Sequence, residues 1–341
     1  MSWYPCRFDG GGTQAVVADA IVALPNLRHF TLDTTRYDAP LPLLRLPPLI
    51  SLNINGSNVA CDEVTRLGQV SECIARSPHL SSLTLVRDYH SRPGLATSFH
   101  YVLKNTNDSK CPPLNLTTLT LSGFYVRLDD TILPHLRNLR SLTIAGFMDP
   151  SHITLDSDVI DDENLPTVDN AQYAAPFPDL WKALKTVGVE LSHLDVQHMS
   201  NALVEYIDSY SGLQALKIYI PDYSHDVKSP GADEADAFWD ALGKRHGGTL
   251  RHLDVNSGCE GEFCFSRSRV AAVKQCKHLV SLSVPIVTSK RYQDEDSDLP
   301  KERARDVVSA ISNPDLEDVD LTKFRYCSLT QWPFTFQDFC S

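Results

Sequence analysis

Residues 116–121 read LTTLTL and residues 139–144 read LRSLTI. Both fit one six-residue frame: a leucine, two variable residues, an apolar residue, a variable residue and a second apolar residue. The frame recurs as LRHFTL from Leu27, LISLNI from Leu49, LSSLTL from Leu80, LSHLDV from Leu191 and LQALKI from Leu213. It recurs again as LRHLDV from Leu250, LVSLSV from Leu279 and LEDVDL from Leu316, which makes ten copies. The first position is leucine in all ten; the fourth is leucine except at Phe30 and Val319; the sixth is always Leu, Ile or Val. One copy would mean little, since leucine is common. Ten copies in one frame define a repeat.

Positions four and six point to one side of a short strand, and positions three and five to the other. Each repeat therefore has about three aliphatic side chains to bury, worth roughly 1.5–3 kcal/mol apiece when covered. A lone repeat cannot cover them, but a stacked neighbour can. The stretches between frames carry apolar residues at helical spacing. They include TQAVVADAIVAL, DEVTRLGQVSECIA, LATSFHYVLK, the Leu203–Tyr206–Ile207–Tyr210 set, the Val270–Val273–Cys276 set and the Val307–Val308–Ile311 set. Pro25, Pro47, Pro78 and Pro314 stand two residues before a frame, where proline separates helix from strand. Strands joined through helices must run parallel. The predicted class is α/β: an irregular horseshoe solenoid with a parallel inner sheet and outer helices. First leucines are spaced from 22 to 52 residues apart, so insertions are expected.

The phrases LPNLRHFTL, SPHLSSLTL and GGTLRHLDV resemble the leucine-rich repeats of ribonuclease-inhibitor-like proteins. They are most similar to those of fungal F-box/leucine-rich-repeat proteins, over roughly residues 13–322. The resemblance implies a protein partner on the inner face and substrate recognition for ubiquitin ligation. It implies no catalytic residue and no cofactor. Two departures stand out. The Asn or Cys that usually follows the repeat strand is inconsistent here, and no F-box is recognisable in the short stretch before TQAVVADAIVAL. Recruitment of the SCF adaptor would then need an upstream F-box. The RanGAP-like GTPase regulators share the fold but usually carry an acidic tail, where this chain has an aromatic one. A non-catalytic scaffold is a further alternative.

Lys and Arg total 31 against 43 Asp and Glu, a formal charge of −12. An acidic chain gains little from phosphate counterion release, so nucleic acid is not an expected partner. The nine cysteines are odd in number and scattered, which reads as reduced thiols rather than a disulfide framework. The opening MSWYPCRFDGGG lacks the pattern of a secretory signal, and no apolar run reaches membrane-spanning length. The expectation is a cytoplasmic and/or nuclear protein without a membrane partner. The sequons at Asn55, Asn107 and Asn115 are read as chance matches.

Residues 1–322 are read as the array, with an acidic insertion near 149–175, and 323–341 as an aromatic C-terminal cap. Asp149 to Asp169 holds seven acidic residues and no Lys or Arg. Shorter acidic runs at Asp233–Asp240 and Asp294–Asp298 suit insertions or helix starts. The cap holds Phe324, Tyr326, Trp332, Phe334, Phe336 and Phe339.

The candidate partner-binding residues are positions three and five of the frames. In the first five repeats these are His29, Thr31, Ser51, Asn53, Ser82, Thr84, Thr118, Thr120, Ser141 and Thr143. In the last five they are His193, Asp195, Lys217, His252, Asp254, Ser281, Ser283, Asp318 and Asp320. The first group is small and hydroxylic; the second is charged and mostly acidic, suiting a basic or hydrogen-bonding segment. His193, Asp195, His252 and Asp254 invite a metal reading. An intervening repeat would hold them about two strand spacings apart, too far for ligands that must sit at ~2 Å from zinc. Cys259 and Cys264 lack a second pair, and Gly10–Gly12 lacks a P-loop lysine.

Overall fold

The frames become strands because alternation places two aliphatic residues of each on one side. The structure is a computed structural model. It describes residues 11–33, 42–56, 63–86, 97–107, 112–126, 128, 130, 132–145, 178–220, 231–257, 263–264 and 269–285. The chain divides into two compact units, Met1–Gln197 and His198–Ser341. Each unit alternates parallel strands with helices, compatible with a repeat solenoid of the leucine-rich kind.

In the first unit the frame strands are β1 (His29–Asp33), β2 (Ser51–Asn55), β3 (Ser82–Val86), β5 (Thr118–Ser122), β7 (Ser141–Ala145) and β8 (His193–Val196). Neighbours pair parallel and in frame, so Phe30, Leu52, Leu83, Leu119, Leu142 and Leu194 form one row. All six are buried. Leu49, Leu80, Leu116, Leu139 and Leu191 are buried at the first position, whereas Leu27 is only half-buried. Leu85, Leu121, Ile144 and Val196 are buried at the sixth, whereas Leu32 and Ile54 are half-buried.

A backbone bond pattern locks this register. The carbonyl of the second frame residue accepts two N–H groups from the next repeat. Arg28 O takes Ile50 N at 2.8 Å and Ser51 N at 3.1 Å; Ser81 O takes Thr117 N at 2.8 Å and Thr118 N at 3.0 Å. The same fork recurs at Ile50, Thr117 and Arg140 in this unit, and at Gln214 and Arg251 in the second. Second-position side chains add to it. Thr117 Oγ1 donates to Ser81 O at 3.1 Å and Ser192 Oγ to Arg140 O at 3.0 Å. Arginines reach forward instead: Arg28 donates to Pro48 O at 3.3 Å and Arg140 to Glu190 O at 3.1 Å.

The helices of this unit are α1 (Gly11–Val22), α2 (Glu63–Ala75), α3 (Phe99–Leu103), α4 (Leu133–Leu136) and α5 (Pro178–Val187). A 3-10 turn, Pro42–Arg45, takes the helical place in the second repeat. Pro47 and Pro48 stop it from lengthening, but Leu43 and Leu46 still enter the core. The expected helix over LATSFHYVLK is shorter. Thr97–Ser98 (β4) pairs instead with Phe124–Tyr125 (β6), and the helix starts at Phe99. Inside the longest gap, α5 has Asp179 in its first turn and stops at Gly188, whose φ of 73° suits a residue without Cβ. Val189 N donates to Leu184 O at 3.0 Å to close that end. The acidic stretch 149–169, the run 294–298, the Val307–Val308–Ile311 segment and the aromatic cap lie outside the described residues.

The second unit contains α6 (Asn201–Asp208), β9 (Ala215–Ile220), α7 (Ala232–Ala241), β10 (His252–Ser257), α8 (Val270–Gln275) and β11 (Ser281–Ser283). Strands β9, β10 and β11 pair parallel, again in frame. The acidic run at 233–240 does open a helix: Asp233 and Glu234 lie in the first turn of α7. That helix continues as one π-helical turn, Leu242–His246. Gly247 follows, pressed against α8: a Cβ there would lie 2.5 Å from Gln275 O. Arg269 is buried, donating to Cys264 O at 2.9 Å and to Asp236 at 3.1 Å.

In three repeats a buried polar side chain ahead of the strand satisfies a backbone N–H of the preceding repeat. Ser77 Oγ accepts from Leu49 N at 3.0 Å and donates to Cys73 O at 2.8 Å. His246 Nδ1 accepts from Leu213 N at 3.2 Å, and its Nε2 lies 3.0 Å from Ile207 O. His135 Nδ1 accepts from Leu114 N at 2.9 Å. These bonds require neutral imidazoles, with Nδ1 unprotonated. Burial lowers the pKa of both histidines. At His246 the Arg245 charge acts in the same direction, opposed by the Ile207 bond and Asp208.

Two expectations follow from this packing. Leu83→Ala should destabilise the chain by about 2–5 kcal/mol in urea denaturation, and Leu27→Ala by markedly less, because Leu83 is fully buried and Leu27 only half-buried. Folded-state histidine pKa values below 6.5 mean that the unfolded chain binds more protons in acid. Their stabilising contribution is complete above pH 6.5 and declines as pH falls below it. The urea midpoint should therefore drop from about pH 7 to about pH 5, and His246→Gln should drop less over that range.

Candidate functional site

Alternation leaves positions three and five of every strand on the side away from the aliphatic core. In the first unit the register aligns them as two rows. One row is His29, Ser51, Ser82, Thr118, Ser141 and His193; the other is Thr31, Asn53, Thr84, Thr120, Thr143 and Asp195. Adjacent members stand about 4.8 Å apart, the spacing of paired strands. His29, Thr31 and His193 are exposed, while the Ser, Thr and Asn side chains between them are half-buried, shielded by one another.

The strands also run one step further than the frame suggested. A third row, Asp33, Asn55, Val86, Ser122 and Ala145, lies on the same side. The period of two predicted it, since position seven follows five, but a six-residue frame hid it. The resulting surface carries no ionisable side chain across its four central repeats and has carboxylates at its ends, at Asp33 and Asp195, each on a strand that also carries a histidine, His29 and His193. Its hydroxyls each offer one donor and two acceptor sites. Ser192 Oγ lies 2.9 Å from His193 Nδ1, holding that ring at the end of its row.

In the second unit the rows are Ala215, His252, Ser281 and Lys217, Asp254, Ser283, with Tyr219 beside Asn256. Lys217 and Asp254 are registered neighbours of opposite charge, so this surface is mixed in sign rather than mostly acidic over the described residues. Tyr219, 39% exposed, adds an aromatic ring that the frame did not single out. Asp318 and Asp320 lie outside the described residues.

Reactive chemistry was sought elsewhere. Among the described residues no group of three or more His, Cys, Asp or Glu side chains is placed to hold a metal ion. Cys73, Cys264 and Cys276 are buried and in no disulfide; the other six cysteines lie outside the described residues. Burial pushes the Cys73 thiol up to about 11 against a small opposing pull from Arg76, and burial pushes Cys276 up to about 11. Both stay protonated at neutral pH and behave as core side chains, not nucleophiles. No described helix is long and apolar enough to cross a membrane.

No model of a known protein family matches the chain, and no curated protein matches it in sequence.

Because the hydroxyl rows face away from the core, Thr84→Ala and Thr120→Ala should each shift unfolding stability by no more than about 0.5 kcal/mol. Thermal denaturation of the two variants checks this. A loss of several degrees in either would mean that the row supports the fold.

Proposed function

We propose that this chain is a leucine-rich-repeat recognition array, akin to the substrate-receptor arrays of F-box/leucine-rich-repeat proteins. It holds another protein on the solvent face of its strands and performs no chemistry of its own. The observation that carries this reading is the unbroken registered surface of the first unit. Six strands align their third and fifth residues in two rows, and none of these side chains is consumed by the core. Such a surface suits a macromolecular partner. Its donors and acceptors repeat every strand, and its carboxylates sit at the ends. The partner is a protein segment rich in hydrogen-bonding groups, with no nucleic acid, cofactor or metal required. Cytoplasm and nucleus are the compartments in which such an array would present a target for ubiquitin ligation.

Proximity labelling with the full chain, followed by mass spectrometry, tests the reading when run beside a Thr84→Arg/Thr120→Arg variant. Two bulky cations in the neutral rows should remove the partner by roughly tenfold or more, while Lys182→Ala on the helical layer leaves it in place. A partner retained equally by both variants would sink the assignment to this face. Co-recovery of the SCF adaptor with the longest native chain supports the ligase role, and its consistent absence removes it. Acceleration of GTP hydrolysis on a recovered GTPase would favour a RanGAP-like regulator instead.

A further inference from the structure

The turns into β10 and β11 gather cations in a chain that is acidic as a whole. Residues 244–251 and 274–280 contain Lys244, Arg245, Arg251, Lys274 and Lys277, together with His246 and His278, and no Asp or Glu. Over the full chain Asp and Glu outnumber Lys and Arg by 43 to 31. All seven side chains except that of His246 are exposed. The corresponding turn before β9, residues 209–214, has no charged residue.

Backbone contacts join the two turns into one surface. Lys277 N donates to Gly247 O at 3.0 Å, and Val280 N donates to Arg251 O at 2.7 Å. Two glycines permit the approach. A Cβ on Gly247 would lie 2.5 Å from Gln275 O, and one on Gly243 would lie 3.1 Å from Ala272 Cα. Gly243 belongs to the π-helical turn and Gly247 directly follows it. Single π turns are rare in helices and recur at functional sites.

Helix ends account for only part of this charge. Lys244, Arg245 and Lys274 lie in last helical turns, where cations complement the carbonyl dipole. Lys244 pairs with Asp240, Arg245 pairs with Asp208 at 3.1 Å, and Lys277 is also engaged within the chain. Arg251 and His278 lie beyond either helix. Arg251 fills the second frame position, from which Arg28 and Arg140 donate to the carbonyl ahead of the next frame leucine. The equivalent carbonyl for Arg251 is that of His278. Arg251 leaves it alone: with Lys274 and His278, it has no side-chain partner among the described residues. Like charges gathered in this way repel, and no contact of the fold requires a cation at Arg251.

We propose that this rim, at the strand entries of the second unit, docks an acidic segment of a protein partner. An Asp- or Glu-rich chain laid across the two turns meets Arg251 and Lys274 together. The Arg251 guanidinium can grip a carboxylate through two parallel N–H bonds, and Lys274 supplies a point charge beside it. Nucleic acid fits less well. The cations span only two turns, and a chain with a net charge of −12 repels a long polyanion. The rim uses different residues from the solvent rows of the strands, so it does not rest on the reading of those rows.

Fluorescence anisotropy of the full chain with a fluorescein-labelled Glu-Gly repeat peptide tests this, beside a Gln-Gly counterpart. The Glu peptide should bind, the Gln peptide should not, and binding should weaken as salt rises. Arg251→Glu/Lys274→Glu should weaken it by roughly tenfold or more, with far-UV circular dichroism unchanged. Arg137 and Lys182 are exposed residues of the first unit. Arg137→Glu/Lys182→Glu changes the net charge equally and should leave binding within about twofold. If the charge reversal unfolds the chain, Arg251→Gln/Lys274→Gln should still show the loss. Equal loss in the rim pair and the first-unit pair overturns the proposal, because net charge alone would then govern binding. So does the absence of Glu-peptide binding at low salt. Tighter binding to a thymidine oligonucleotide than to the peptide overturns it too, and would make the rim a nucleic-acid contact.

Discussion

A forked hydrogen bond, one carbonyl accepting two N–H groups from the next repeat, is the contact on which this molecule is built. It joins the second frame residue of one repeat to the second and third of the next, at the point where the chain enters each strand. With that point held, the two strands must pair in frame, and the leucines of positions one, four and six fall into continuous rows. Sliding a strand by one residue would send its aliphatic side chains to the solvent and its hydroxyls into the core. The backbone fork and the leucine rows thus demand the same register, and agreement between local and global preference is what gives a sequence a single fold.

The polar residues before the strands perform a related task. Ser77 and His246 satisfy the N–H of the first frame leucine in the preceding repeat, a donor that the sheet cannot reach. An unsatisfied buried N–H costs about 1–3 kcal/mol, comparable with the gain from one leucine. Histidine serves this purpose only while neutral, which links repeat stacking to proton concentration in a way that serine does not. Close backbone approach supplies the remaining contacts, as where Gly247 lies against Gln275.

The outward face is a by-product of that same alternation. Once positions four and six are committed to the core, positions three, five and seven are displayed at strand spacing. Their content is then free to serve recognition. Neutral hydroxyls fill the centre of the first unit and carboxylates stand at its ends, while the second unit sets Lys217 beside Asp254 and exposes Tyr219. The frame residues that would occupy this surface were readable one by one. The third row was not, because a six-letter pattern stops before the seventh residue.

Leucine recurrence determined the described frame strands and the side each residue faces, and the helical stretches between frames fixed their parallel sense, since period-two alternation and aliphatic burial are local rules. Several helices were also legible, as in DEVTRLGQVSECIA. Tertiary structure decided the rest. Thr97 and Ser98 left a helical pattern to pair with Phe124 and Tyr125. Proline-rich 41–50 still delivered Leu43 and Leu46 to the core through a 3-10 turn. Arg28 and Arg140 reached forward while Thr117 and Ser192 reached back. Such choices depend on which carbonyl lies within a side chain's reach, and that distance exists only after the repeats have stacked.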